Sequence, residues 1–249
     1  MRFRLSDLIL FILVFVFVIA FPVDLIPLNQ MGRLLVQLGL RLLLLAFYIY
    51  IIVKYRIKVF GIANIKNLLL CLPFFLISAS NFTAAAIQGG FDGQQFSESL
   101  LAIEIAFTLV TAITEEIIFR LFIHNALVTT SSIKRIFGSA LIFALMHLIN
   151  IVNVRYVSGL ITVLVQTVYT FGLGLLLGVL YEYSHSLTGA VLLHFCFNLF
   201  NTDIFSFYGG YSSDLVFYLT AVGYAVVIGG YAAIITIFYF RNHDLYFRR

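Results

Sequence analysis

Three groups of polar residues lie in stretches of the chain that are otherwise hydrocarbon: Glu115-Glu116…Arg120, Phe143…His147 and His194…Asn198. An ionisable side chain near the centre of a bilayer costs about 2.5–3.5 kcal/mol on insertion scales, so such residues in apolar segments mark chemistry or ion movement. Glu116 and Arg120 are four apart, share a helix face and can pair. That pairing leaves Glu115 about 100° round the helix, with no partner in its own helix. A desolvated carboxylate near an imidazole suits the role of general base toward water. His194 and Asn198 are one turn apart and together offer the N–H donors that an oxyanion hole requires. Phe143, one turn before His147, supplies an apolar wall that can keep the centre dry.

The elements that must hold these groups are membrane helices. Of 249 residues, 62% are hydrophobic and only 10% charged, and the mean hydropathy is +1.07. Soluble domains are about 45–50% apolar and about 25% charged, so composition excludes a water-soluble fold. The apolar runs are unbroken and near 20 residues long, unlike the alternating ~10-residue strands of a barrel. The expected fold is all-α, a polytopic helical bundle of about eight transmembrane helices. The spans fall at roughly 6–26, 34–53, 65–82, 98–128, 134–152, 157–181, 186–203 and 213–240. The first lacks a small-x-small cleavage site before Pro22 and reads as an uncleaved anchor.

With the amino terminus in the cytosol, the inside segments hold eleven Lys or Arg residues and the outside segments two, Arg33 and Arg155. That bias places both termini in the cytosol. The net charge of +4 and pI near 9.1 therefore serve orientation, not nucleic-acid binding. The segment Lys54–Lys66 reads the same way, rather than as a site for anionic lipid. Cys71 and Cys196 both lie in apolar segments and read as small buried hydrophobes. No repeat or low-complexity region divides the chain, which reads as a single integral membrane domain over 1–249. The 83–97 stretch, without Lys or Arg, reads as an outside loop. Gly174 and Gly178 form a small-xxx-small face for close approach of another helix.

Depth brings the polar groups together. Counted from the cytosolic ends of their spans, Glu115, His147, His194 and Asn198 lie roughly 20, 20, 12 and 18 Å deep at 1.5 Å per residue. Three helices thus place reactive groups at similar depth. The other polar residues have plainer readings. His124 is a satisfied buried or interfacial histidine, Glu104 a solvated rim residue, Glu182 interfacial, and His185 and His243 are surface groups.

On these motifs the chain resembles the CPBP family of intramembrane glutamic endopeptidases, which includes the type II CAAX prenyl endopeptidases and the bacteriocin-processing and immunity proteins. TEEIIFR at 114–120 resembles the family's EExxxR motif, FALMH at 143–147 its FxxxH, and HFCFN at 194–198 its HxxxN/D. The resemblance covers about 98–203, which would form the catalytic core. It implies that Glu115 and His147 activate water, that His194 and Asn198 hold the oxyanion, and that Glu116 and Arg120 support the site. It also implies peptide-bond hydrolysis without a metal or other cofactor. The partners so implied are the lipid bilayer and a hydrophobic, lipidated or C-terminally processed peptide substrate. The short chain looks more like the bacterial members, in a plasma membrane.

Other readings stay open at this stage. Two Glu, two His and an Asn could ligate zinc, although an H-E-x-x-H helix is absent. An ion- or proton-coupled transporter would use the same residue types, but no inverted repeat is evident. A non-catalytic immunity or partner-binding membrane protein would keep the groups as structural features only.

Overall fold

The computed structural model describes residues 4–57, 98–127, 131–154, 156–184, 186–200 and 214–246, together with Val59, Leu72 and Leu76. Most of these residues are helical, and no strand occurs among them. The elements are α1 (Leu5–Ile19), α2 (Gln30–Lys54), α3 (Glu98–Glu116), α4 (Ser132–Met146), α5 (Val157–Ser184), α6 (Leu187–Asn198) and α7 (Asp214–Tyr246). Helix α3 runs on into a π-helical segment, Ile117–His124, and α4 into a 3-10 segment, His147–Asn153. The expected span at 65–82, Cys71 within it, the loop at 83–97 and His185 lie outside the described residues.

Local chemistry sets the helix starts. Asn29 accepts a hydrogen bond from the Gly32 N–H at 2.8 Å and caps α2, and Ser131 accepts one from the Lys134 N–H to cap α4; each satisfies a donor the helix leaves open. Three stretches, Gln30–Lys54, Ser132–Val152 and Val157–Glu182, are long and apolar enough to cross a membrane. Leu43, Val53, Val168 and Phe238 each leave more than half of their surface exposed. A bundle that turns large aliphatic and aromatic groups outward suits lipid as its solvent. The described residues form an all-helical bundle, consistent with the membrane helical bundle expected from composition.

Printed contacts fix the helix directions. Phe11 meets Phe122 and Phe15 meets Phe119, so α1 and α3 run antiparallel. Arg41 lies on Phe107 while Tyr48 meets Phe122, so α2 and α3 run parallel. Gly178 faces Ile136 and Gly174 faces Ala140, which makes α4 and α5 antiparallel. Tyr218 donates to the Ser158 carbonyl while Gly172 faces Gly229, which makes α5 and α7 parallel. Arg4, Lys54, Lys134, Ser184 and Tyr246 consequently end on one face of the bundle, and Gln30, Glu98, Asn153 and Asp214 on the other.

Two apolar clusters fill the interior. One joins α1, α2 and the π-helical segment, and the other joins α4, α5, α6 and α7. The second is tight because its helices carry small residues where they cross. A Cβ added at Gly174 would stand 3.1 Å from Ala140 Cα and Cβ and from Phe143 Cδ1. The close approach expected of the Gly174/Gly178 face is present, with α4 as the partner.

Candidate active site

Phe143, fully buried where the two clusters meet, organises the polar groups around it. Its ring meets His147 edge-on at 4.9 Å, His194 at 5.7 Å and Phe119 at 5.0 Å. The Arg120 guanidinium lies 5.4 Å from the ring centroid, within cation–π range. The aromatic ring thus lies edge-on to both imidazoles and lines the cavity beside them.

The turn at His147 explains the spacing of four between Phe143 and His147. In a continuing α-helix the His147 N–H would bond to the Phe143 carbonyl. Here the helix tightens, and that N–H turns instead to the Ala144 and Leu145 carbonyls. The freed Phe143 carbonyl stands 2.9 Å from His147 Nδ1. A carbonyl only accepts, so Nδ1 carries the hydrogen, and in the neutral ring Nε2 holds a lone pair.

Glu116 and Arg120 pair within the π-helical turn, Arg120 Nε to Glu116 Oε2 at 2.9 Å, both side chains wholly buried. The other carboxylate oxygen, Oε1, lies 2.9 Å from His194 Nδ1. His194 turns its far nitrogen, Nε2, toward Glu115 Oε2 at 3.7 Å. One imidazole thus bridges the two adjacent glutamates, with Glu116 holding it and Glu115 across from its free edge. The widened i→i+5 backbone begins immediately after this pair, a feature π-turns frequently show at functional sites.

Glu115, Phe143, His147, His194 and Asn198 line one cavity of about 210 Å³. Glu116 and Arg120 sit behind it, where the Arg120 Nη1 donates to Ser139 Oγ at 3.3 Å. Every residue singled out in the three motifs is thereby gathered at one centre. The cavity also includes residues that the motif reading passed over, among them Arg41, Thr111, Asn150 and Gln166. Asn150 donates to Gln166 Oε1 at 3.0 Å. Their signal in the sequence was polarity inside apolar runs, the same signal that marked the motifs.

The remaining polar residues take other places. His124 is buried, 3.1 Å from Ser139 Oγ through Nδ1 and 2.6 Å from Glu182 Oε2 through Nε2. Arg135 also pairs with Glu182. His124 is thus the satisfied buried histidine expected, and Glu182 is its partner rather than a bare interfacial acid. Cys196 is a half-buried free thiol, and Glu104 lies outside the cavity lining. Among the described residues no group of three or more His, Cys, Asp or Glu side chains has the arrangement of a metal site.

A lipid-facing bundle that encloses acids, imidazoles and an amide defines a membrane protein with a reactive interior. Residues 97–200 match the family model for Rce1-like proteins, described as type II CAAX prenyl endopeptidase Rce1-like. This region is similar to the type II CAAX prenyl endopeptidases, the resemblance that the three motifs carry. No curated protein and no solved structure matches the chain.

Proposed function

We propose that the chain is a metal-independent glutamic endopeptidase that hydrolyses peptide bonds of hydrophobic or lipidated substrates within the membrane. The observation that carries this reading is His194 held between Glu116 and Glu115 in the cavity that His147 and Asn198 also line. Glu115 takes a proton from water, with the His147 Nε2 lone pair orienting the same molecule. The water oxygen attacks the scissile carbonyl carbon. The resulting oxyanion accepts hydrogen bonds from the Asn198 amide and from His194 Nε2 when that nitrogen carries hydrogen. The proton then passes to the departing amine as the C–N bond breaks, and no covalent enzyme intermediate forms.

Glu116 and Arg120 position His194. The basic residues Arg4, Lys54, Lys134 and Arg135 share the face where the described chain ends, which supports cytosolic termini under the positive-inside rule. The substrate class rests on the depth of the site and on the family's description. Peptide maturation and bacteriocin self-immunity are both roles that such a reaction serves in a bacterial plasma membrane.

The test is membrane peptidomics of cells carrying the parent protein or Glu115→Gln. The substitution is nearly isosteric but cannot take the proton, so cleavage should fall by about 10²–10⁴-fold while expression and thermal stability hold. An uncut hydrophobic peptide should accumulate. Cleavage retained by Glu115→Gln would remove the reading, and survival of an immunity phenotype with no cleavage by the parent would replace it with a binding role. A chelator should leave the parent's activity unchanged.

A further inference from the structure

Arg41 is a cation at mid-membrane with work left undone. It stands 11 residues after Gln30 and 13 before Lys54 in α2, so the helix ends are roughly 16 and 20 Å away at 1.5 Å per residue. An arginine stem is too short to snorkel that far. The guanidinium instead lies 4.2 Å over the Phe107 ring and lines the same cavity as Glu115, His147, His194 and Asn198. Its Nε has no hydrogen-bond partner among the described residues. Arg120, the other arginine in a span, is bonded to both Glu116 and Ser139 through Nε and Nη1, and only its Nη2 is unmet among the described residues. Among the described residues Arg41 has no such hydrogen bond, and Glu115 is the acid that lines the same cavity.

A second unmet group lies between the two. Thr111 Oγ1 is buried, lines the cavity and likewise lacks a partner among the described residues. Phe107, Thr111 and Glu115 follow at intervals of four along α3, one cavity-facing stripe. From the Phe107 level, where Arg41 lies, to Glu115 is about 12 Å along the helix. An extended peptide covers that in three to four residues at about 3.3–3.6 Å each.

We propose that Arg41, with Thr111 beside the path, forms a carboxylate-binding subsite that holds an anionic group of the substrate three to four residues from the scissile bond. A guanidinium fork matches a carboxylate in geometry and charge, and Thr111 is placed to bond the peptide backbone between. The subsite deepens the hydrolase reading and rests on it for the position of the scissile bond. Arg41 lies outside the region that matches the protease family, so the assignment belongs to this chain's own residues.

The experiment uses the full-length protein in proteoliposomes and three versions of one farnesylated peptide. One ends in a free carboxylate, one in an amide, and one in an amide with aspartate as its last residue. Peptide binding to Glu115→Gln protein is read by fluorescence anisotropy, and cleavage by the parent is read separately. The free acid should bind about 10–100-fold more tightly than the amide, the range of a hydrogen bond to a charged group. Arg41→Gln should erase that difference, Arg41→Lys should restore part of it, and Thr111→Val should weaken acid and amide alike. Recovery of binding by the aspartate peptide would assign the subsite to side-chain carboxylates, and its failure would assign it to chain termini. Equal binding of acid and amide, or none, overturns the subsite. If the acid preference depends on Arg41 but the parent cuts nothing, the hydrolase reading falls and the subsite stands. If acid and amide bind equally and the parent cuts both, the hydrolase reading stands and the subsite falls.

Discussion

Glu116 Oε1 stands 2.9 Å from His194 Nδ1 although the two residues are 78 positions apart in the chain. Glu115 and Glu116 are adjacent in sequence, and this contact sets them apart. Glu116 spends both oxygens on fixed partners, Arg120 and His194, whereas Glu115 faces the cavity. The first is built into the protein; the second is open to what enters the cavity.

Glu116→Gln should therefore behave unlike Glu115→Gln. Removing the Glu116 charge leaves Arg120 buried without its counter-ion, and breaking one partner of a buried pair costs about 3–5 kcal/mol. The expected result is a large fall in the thermal unfolding midpoint in detergent, with Glu115→Gln close to the parent. Equal midpoints for the two variants would show that the pair carries no such load.

His147→Gln should abolish turnover without unfolding the protein. The substituted side chain keeps hydrogen-bonding atoms near the Phe143 carbonyl but lacks a ring nitrogen lone pair toward the cavity. A loss of about 10²–10⁴-fold in kcat, with peptide binding retained, is the expected outcome of single-turnover and anisotropy measurements. Loss confined to KM would move His147 from orienting water to holding substrate.

How much of this was legible beforehand depended on distance along the chain. The Glu116–Arg120 pair follows from a spacing of four, and it survives the change to a π-helical backbone. Close packing at Gly174 followed from small residues one turn apart. The bridge from Glu116 to His194 could be expected only as shared depth, because no local rule links residues on different helices. The π-helical turn at Ile117–His124 and the tightened turn at His147 left no mark in the sequence, since packing against Phe11, Phe15 and Tyr48 and the competition for the Phe143 carbonyl decide them. Arg41 shows in the sequence only as a charge inside an apolar run; its significance is its place over Phe107, which the sequence does not state.

Gly174→Leu should destabilise the bundle by forcing α4 and α5 apart. Even a Cβ would meet Ala140 and Phe143 at 3.1 Å, and overpacking typically costs about 1–3 kcal/mol. Because Phe143 touches both imidazoles, the variant should also lose activity in the fraction that stays folded. Thermal unfolding and turnover per folded molecule check the two effects. A stable, fully active Gly174→Leu would mean that the helices separate at no cost to the site.

Glu182→Ala separates stability from catalysis. Glu182 accepts from His124 at 2.6 Å and from Arg135, tying α5 to the end of the π-helical segment and to α4. Its removal leaves His124 buried beside Ser139 and without its carboxylate, a loss of about 1–3 kcal/mol for an unmet buried donor. The cavity that holds Glu115 and His147 does not include Glu182. The unfolding midpoint should drop while kcat and KM per folded molecule stay at the parent's values. A change in kcat at constant stability would instead bring His124 and Glu182 into line with Arg120 and Ser139 as a polar chain that governs the reacting groups.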